Sequence, residues 1–274
     1  MFKKKNIGIA LACALALGAW SGTTIAAPIN VGGVVWDPDH PLDLTVQALN
    51  FRESQVDSVG DVLMGYGIIG SINGSTEAAL CPGCDLTFSF TYTVKNINPI
   101  VGAPRIVFDT GTIQFYVGGD NSYDVTDPSS ATTGVPWLTL TGHTFANADP
   151  LYLTDGELFA SVQGSTANPS AGSGGFGYLD ATGGTAMPWV DTNHWNTGGA
   201  YGFADFSLNS SFLFDGVPIC DANDPQTCYP IGGTGTLFGL TAVPEPGALG
   251  MLGLGLSALG FAVWRRRKET DERA

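Results

Sequence analysis

The sequence has little positive charge and few histidines. Its 274 residues include 11 Lys and Arg against 25 Asp and Glu, with only 3 histidines. Residues 27–242 contain three of the basic residues and 21 of the acidic ones, which gives this stretch a net charge of −18. Such a surface repels phosphate backbones, so we expect no nucleic-acid partner.

Sequence motifs of several enzyme classes are also missing. The histidines His40, His143 and His194 lie far apart, and no two have the spacing of a zinc-binding pair. The chain has no Gly-x-Ser-x-Gly segment and no phosphate-binding loop. Residues 27–242 hold only three glutamates, so the carboxylate pair of a glycosidase is unsupported. We therefore expect a protein that is not an enzyme and needs no cofactor.

Helical periodicity is absent from residues 27–242, whereas short alternating segments recur between turns. Leu86–Val94 alternates apolar residues with Thr and Ser, as a strand with one wet face does. Asn73-Gly74 is typical of a tight hairpin turn. We predict a mainly β domain, arranged as an antiparallel β-sandwich or jelly roll.

Two further segments are predicted to interrupt the strands. Asp109-Thr110-Gly111 is expected to separate a strand at Arg105–Phe108 from another at Thr112–Val117. Gly164–Gly175 is rich in Gly and Ser and is expected to form a flexible loop.

The amino-terminal residues have the pattern of a secretory signal peptide. Lys3, Lys4 and Lys5 precede an apolar run from Ile7 to Trp20, and small residues follow. We predict that signal peptidase cleaves after Ala26, which removes residues 1–26. A retained membrane anchor is the alternative.

The last residues combine a proline motif, an apolar run and a basic cluster. Pro244-Glu245-Pro246 precedes residues 247–264, which carry no charge. We predict that this run forms a single transmembrane helix. The cluster Arg265-Arg266-Arg267 opens the polar segment 265–274, which we place in the cytoplasm.

This three-part tail, residues 243–274, resembles the PEP-CTERM sorting signal of Gram-negative bacteria. The resemblance implies that a membrane-embedded exosortase recognises Pro244, Glu245 and Pro246, together with the arginine cluster, and cleaves near the prolines. On this reading the chain is held transiently in the inner membrane, and the β domain of residues 27–242 then reaches the cell surface or extracellular matrix.

The four cysteines of residues 27–242 are expected to form disulfides, since an even number in an exported chain is typical of them. Local pairing joins Cys81 to Cys84 and Cys220 to Cys228, and the cross-pairings are the alternative. A redox motif is a second alternative for Cys81-Pro82-Gly83-Cys84, but no βαβ pattern surrounds it. Zinc is a third, but the spacing of Cys220 and Cys228 does not suit a second knuckle.

Two acidic clusters offer oxygen ligands of the kind that calcium prefers. One comprises Asp120, Asp124 and Asp127, and the other comprises Asp221 and Asp224. Asp is also an ordinary turn residue, so turn formation is the alternative for both clusters.

Trp189 and Trp195 lie in a polar stretch and are candidates for stacking on sugars. The alternative is that both tryptophans anchor a long loop on the core.

These patterns favour a non-enzymatic, exported surface or matrix protein that contributes to adhesion, flocculation or biofilm matrix. The segment Cys81–Phe88, after Gly65-Tyr66-Gly67, also resembles a segment of PEP-CTERM proteins from floc-forming bacteria. The alternative is a secreted carbohydrate-binding module or hydrolase that acts on exopolysaccharide. A calcium-dependent fold is a third hypothesis.

Overall fold

The computed structural model describes residues 27–220, 227–242, 255–257 and 259. The predicted signal peptide lies outside these residues, as does most of the predicted tail. Within the described ranges, no helix has the length and apolar character needed to cross a membrane.

The chain divides into two compact units, Met1–Thr241 and Ala242–Ala274. In the second unit, the described residues 255–257 and 259 are helical. The first unit contains the strands and is described below.

The first unit is almost entirely β structure. Its described residues include two short helices, α1 (Glu77–Leu80) and α2 (Met187–Val190), and two 3-10 turns at Pro128–Thr132 and Pro150–Tyr152. The strands are β1 (Ile29–Val31), β2 (Val34–Trp36), β3 (Thr45–Glu53), β4 (Val62–Ile72), β5 (Ser75–Thr76), β6 (Cys84–Asn98), β7 (Arg105–Gly119), β8 (Val135–His143), β9 (Leu158–Ser161), β10 (Ser173–Gly183), β11 (Trp195–Asn196), β12 (Phe203–Ala204), β13 (Phe206–Cys220) and β14 (Cys228–Phe238).

The main sheet is antiparallel and closes on itself. Its strands run in the order β13-β14-β3-β4-β6-β7-β8-β10, and β10 pairs in turn with β13. Strands β8 and β9 both lie between β7 and β10. Strand β9 pairs with the first residues of β7 and of β10. Every one of these eight long strands therefore has a hydrogen-bonded neighbour on both sides.

Alternation along the strands places one set of side chains inside the closed sheet. In β6, Leu86, Phe88, Tyr92 and Val94 are buried, whereas Thr91 between them is exposed. The interior holds the largest cluster of buried apolar side chains, to which most strands contribute. Burial of this cluster is the main driving force for the fold.

Parts of the outer face are covered as well. Val107, Phe145, Tyr152 and Phe159 form a second apolar cluster. A third cluster joins Tyr66, Ala131 and Tyr229, which the loop between β7 and β8 helps to cover. These clusters show that the loops pack on the sheet.

The prediction of a mainly β, antiparallel fold is confirmed. The strands follow one another around the sheet in chain order, and the described strands do not make the crossovers of a jelly roll. The turn at Asn73-Gly74 is present: both residues have positive φ, and they join β4 to β5.

Of the two predicted interruptions, the first is wrong and the second is confirmed except at its end. Residues 109–111 lie inside the continuous strand β7. Gly111 is needed there because a Cβ would lie only 1.9 Å from the Tyr92 ring, so the glycine marks a close approach and not a turn. The predicted loop Gly164–Gly175 ends early, since β10 begins at Ser173, and Gly174 lies against the Ser210 carbonyl.

Candidate functional site

The predicted sorting residues lie outside the described residues; they are Pro244, Glu245, Pro246, Arg265, Arg266 and Arg267. The structure does describe the end of the β domain at Thr241. Asp43 accepts hydrogen bonds from the Thr241 backbone N–H (3.0 Å) and hydroxyl (2.6 Å). Trp36 Nε1 donates to the same hydroxyl at 2.8 Å. The chain is thus fixed to the β domain three residues before the proline motif.

The four cysteines form the two local disulfides that were predicted. Cys81 and Cys84 have a Cα–Cα distance of 5.1 Å, and Cys220 and Cys228 one of 4.0 Å. The first pair joins α1 to β6 through a turn in which Gly83 has positive φ. The second pair occupies opposed positions of β13 and β14. Both positions favour a structural role.

The acidic residues between β7 and β8 stabilise turns. Asp124 Oδ1 accepts from the backbone N–H and the hydroxyl of Thr126, each at 2.8 Å, and the backbone bond lowers the pKa of Asp124. Asp127 caps the 3-10 turn by accepting from the Ser129 N–H at 3.0 Å. Asp120 is exposed.

No three His, Cys, Asp or Glu side chains in the described part of the chain are placed to hold a metal ion. Asp221 and Asp224 lie outside that part. Asp124 and Asp127 thus stabilise turns, which was the alternative to calcium binding. Their geometry gives the calcium hypothesis no support.

Sequence reasoning missed Asp85, a buried carboxylate that holds the same loop. Its oxygens accept from the backbone N–H groups of Tyr123 (2.9 Å) and Asn121 (3.2 Å) and from the Ser122 hydroxyl (3.4 Å). The only signal in the sequence is an acidic residue within an otherwise alternating strand.

The two candidate tryptophans have different environments. Trp189 lies in α2 and packs, partly buried, against the main core. Trp195 lies in β11, within a segment that we call the aromatic loop, residues 194–203. The exposed His194 ring meets Trp195 edge-on, with centroids 5.6 Å apart. Trp189 thus anchors its segment on the core, as the alternative to sugar stacking predicted. Trp195 is the remaining candidate for stacking on a sugar.

Phe203 is a second aromatic of the aromatic loop and is 51% exposed. In the β11–β12 ribbon, Trp195 is opposite Ala204 and Asn196 is opposite Phe203. Because successive residues of a strand face opposite ways, Trp195 and Phe203 lie on opposite faces of this ribbon. They therefore do not form one stacking platform.

His143 fixes the aromatic loop to the sheet. Its Nδ1 lies 2.8 Å from Asp180 Oδ2, and its Nε2 lies 2.9 Å from the Tyr201 carbonyl oxygen and 3.1 Å from Thr197 Oγ1. The Tyr201 hydroxyl also donates to Asp155.

Asp180, His143 and Thr197 thus form a sequence of carboxylate, imidazole and hydroxyl, as hydrolases use. Nε2 of His143 faces both the Thr197 hydroxyl and the Tyr201 carbonyl, and this carbonyl can only accept. The Thr197 hydroxyl donates to the Gly202 carbonyl at 3.0 Å. These contacts hold the aromatic loop on the sheet.

Buried Asp205 holds the segment that precedes the aromatic loop. Its carboxylate accepts three backbone N–H groups, from Ala181 (2.8 Å), Thr192 (2.7 Å) and Asn193 (2.6 Å). Contacts of such range are not visible in sequence spacing, which is why neither Asp205 nor His143 was predicted.

Comparison with known proteins identifies only the tail. A family model described as the PEP-CTERM protein-sorting motif matches residues 242–268. No curated protein and no solved structure matches the chain.

Proposed function

We propose that this chain, which carries a PEP-CTERM sorting motif, is a non-enzymatic surface or matrix protein that contributes to adhesion, flocculation or biofilm matrix. The motif indicates an exported protein of a Gram-negative bacterium that an exosortase processes and that is sorted to the cell surface. The match at residues 242–268 is the observation that carries the proposal.

The processing route that we propose has three steps. Signal peptidase removes residues 1–26, the apolar run 247–264 holds the chain in the inner membrane, and exosortase then cleaves near Pro244–Pro246. The order suits the structure of the β domain, because Thr241, three residues before the proline motif, is itself hydrogen-bonded to Asp43 of that domain.

The charge distribution supports a role at a hydrated surface. All three basic residues of the β domain pair with carboxylates: Arg52 with Asp215, Lys95 with Asp109 (3.8 Å), and Arg105 with Asp149 (3.6 Å). The remaining acidic residues are in large excess. Such a surface favours solubility and gathers divalent cations, and it repels nucleic acid.

The closed sheet supports the same role. We propose that the β domain is a β-sandwich whose two layers are opposite walls of this closed sheet. Because each long strand is paired on both sides, the domain offers few open edges for strand addition. A protein of this kind can be concentrated in a matrix without uncontrolled edge-to-edge aggregation.

The test compares a deletion strain with a strain in which Pro244, Glu245 and Pro246 are all replaced by Ala. We expect both to lose aggregation or matrix cohesion, and the altered protein to stay in the membrane fraction at a larger mass than the mature protein. A wild-type protein found at full length in the inner membrane would overturn the sorting proposal. Normal aggregation of the deletion strain would overturn the matrix role alone.

Exopolysaccharide binding, as a module or a hydrolase, is the second candidate. It is favoured by Trp195, a half-buried aromatic ring beside the exposed His194 in the aromatic loop. Calcium dependence stays a prediction, and an unchanged melting temperature on adding a chelator would remove it.

A further inference from the structure

The interior of the closed sheet is incompletely filled. A cavity of about 100 Å³ lies between its walls and is lined almost wholly by apolar side chains. Aliphatic side chains line it together with aromatic rings, among them Phe51, Phe88, Phe90, Phe108 and Phe115. The cavity is elongated: on β3 alone the lining runs from Val46 to Glu53, which at ~3.3 Å per residue covers roughly 20 Å.

One carboxyl group lines this cavity. Glu53 is 6% exposed, and no donor or cation among the described residues pairs with it. Its neighbour Arg52 pairs with Asp215, and the two other cations of the β domain are engaged elsewhere. A buried carboxyl without a partner is costly, and a native protein keeps such a group where a ligand or water completes it.

The Glu53 end of the cavity lies under a loop. Thr166 and Pro169 of the segment 164–172 contribute to the lining, and the Gln55 side-chain amide donates to the Ala167 carbonyl of the same segment. Gly164 and Gly172 bound this segment, and both have positive φ (90° and 94°). Its contacts with the sheet include the hydrogen bond from the Phe214 N–H to the Pro169 carbonyl, 2.8 Å. The segment 164–172 therefore covers the polar end of the cavity.

We propose that this cavity binds a neutral amphiphile, namely an unbranched hydrocarbon chain with a terminal hydroxyl or carbonyl group that pairs with Glu53. The length and apolar lining suit an unbranched chain. A cavity of ~150 Å³ accepts the six carbons of benzene, so this smaller one takes a chain on the order of four carbons.

The state of Glu53 selects a neutral head group. Burial raises the pKa of Glu53 to about 8, so its carboxyl is mostly protonated at pH 6.5. A protonated carboxyl donates one hydrogen bond and accepts another, which matches a hydroxyl. A ligand carboxylate would lose its hydration on entering the cavity and would find no cation to pair with there, so the cavity disfavours anionic ligands.

The test titrates 1-butanol and butanoate into the mature protein isolated from the producing cells, at pH 6.5, with binding followed by NMR. We expect saturable binding of 1-butanol, with butanoate at least ~10-fold weaker. Glu53→Leu should weaken 1-butanol binding about 5- to 10-fold, whereas Glu53→Gln, which keeps a donor and an acceptor, should change it less than ~3-fold.

A second variant keeps the test decisive if Glu53→Leu does not fold. Ala160 lines the cavity, and Ala160→Leu should fill it and abolish 1-butanol binding. The exposed Leu213→Ala is the control and should bind as wild type. Absence of 1-butanol binding, equal binding of butanoate, or unchanged binding in the folded Ala160→Leu variant would each overturn the proposal.

Discussion

Arg52 and Glu53 are adjacent in the chain, yet their side chains lie in opposite environments of strand β3. The Arg52 guanidinium pairs with Asp215 and is partly solvent-exposed, whereas the Glu53 carboxyl is enclosed by the apolar interior. A salt bridge between the two neighbours is thus prevented by the alternation of the strand. Among the described residues, the one carboxyl that lines the cavity is thus left without the nearest cation.

Glu53 should make the β domain less stable as the pH rises. Its pKa is raised from the usual 4.5 to about 8 in the folded protein. Below pH 4.5 Glu53 is protonated in both the folded and the unfolded protein. Between pH 4.5 and 8 Glu53 loses its proton in the unfolded chain but keeps it in the folded protein, so the free energy of unfolding falls as the pH rises. We expect Glu53→Gln to remove this loss and to stabilise the protein by about 2–4 kcal/mol at pH 8.

Urea unfolding at pH 5 and at pH 8 measures this difference. The exposed Asp120→Asn serves as the control and should keep the pH dependence of the wild type. A Glu53→Gln variant with the same dependence as the wild type would show that Glu53 is not the responsible group.

Asp205 should be a strong determinant of stability. Asp205→Asn replaces one acceptor oxygen by an NH₂ group that faces a backbone N–H, so we expect a loss of about 2–3 kcal/mol in the free energy of unfolding. Asp191→Asn is the matched control, because the exposed Asp191 accepts only the Asn193 side-chain amide, at 3.1 Å. Equal melting temperatures of the two variants would contradict this assignment.

Local signals in the sequence were read correctly. Strand β4 ends at Ile72, and the predicted turn at Asn73-Gly74 follows it directly. Alternation in Leu86–Val94 identified the centre of β6. These features depend on residues that are close in the chain, where propensity and periodicity act directly.

Features set by distant residues were not accessible. The role of Gly111 depends on the Tyr92 ring, and Asp205 meets Ala181 across 24 residues of chain. Glu53 occupies an interior position only because a register shift near Ala48 and Asn50 sets which residues of β3 face inward. A bulge of this kind inverts the facing of later residues and is not marked in the sequence.

The two disulfides should differ in their reactivity toward a reductant. Cys81 is 1% exposed, whereas Cys220 is exposed at the end of β13. Because a thiolate must reach a sulfur atom, the Cys220–Cys228 bond should be reduced first under mild conditions. Alkylation followed by peptide mass spectrometry measures the order. Labelling of Cys81 before Cys220 would contradict the burial of the first disulfide.

Trp195 should be the residue that tests the carbohydrate hypothesis most directly. If its ring stacks on a sugar, Trp195→Ala should weaken exopolysaccharide binding about 3- to 10-fold in affinity electrophoresis, because one aromatic contact is lost. Phe203→Ala is the matched control: it removes an exposed ring from the same ribbon but on the opposite face. Equal loss in both variants would indicate a general disturbance of the aromatic loop, and no loss in either would exclude Trp195 as a sugar contact.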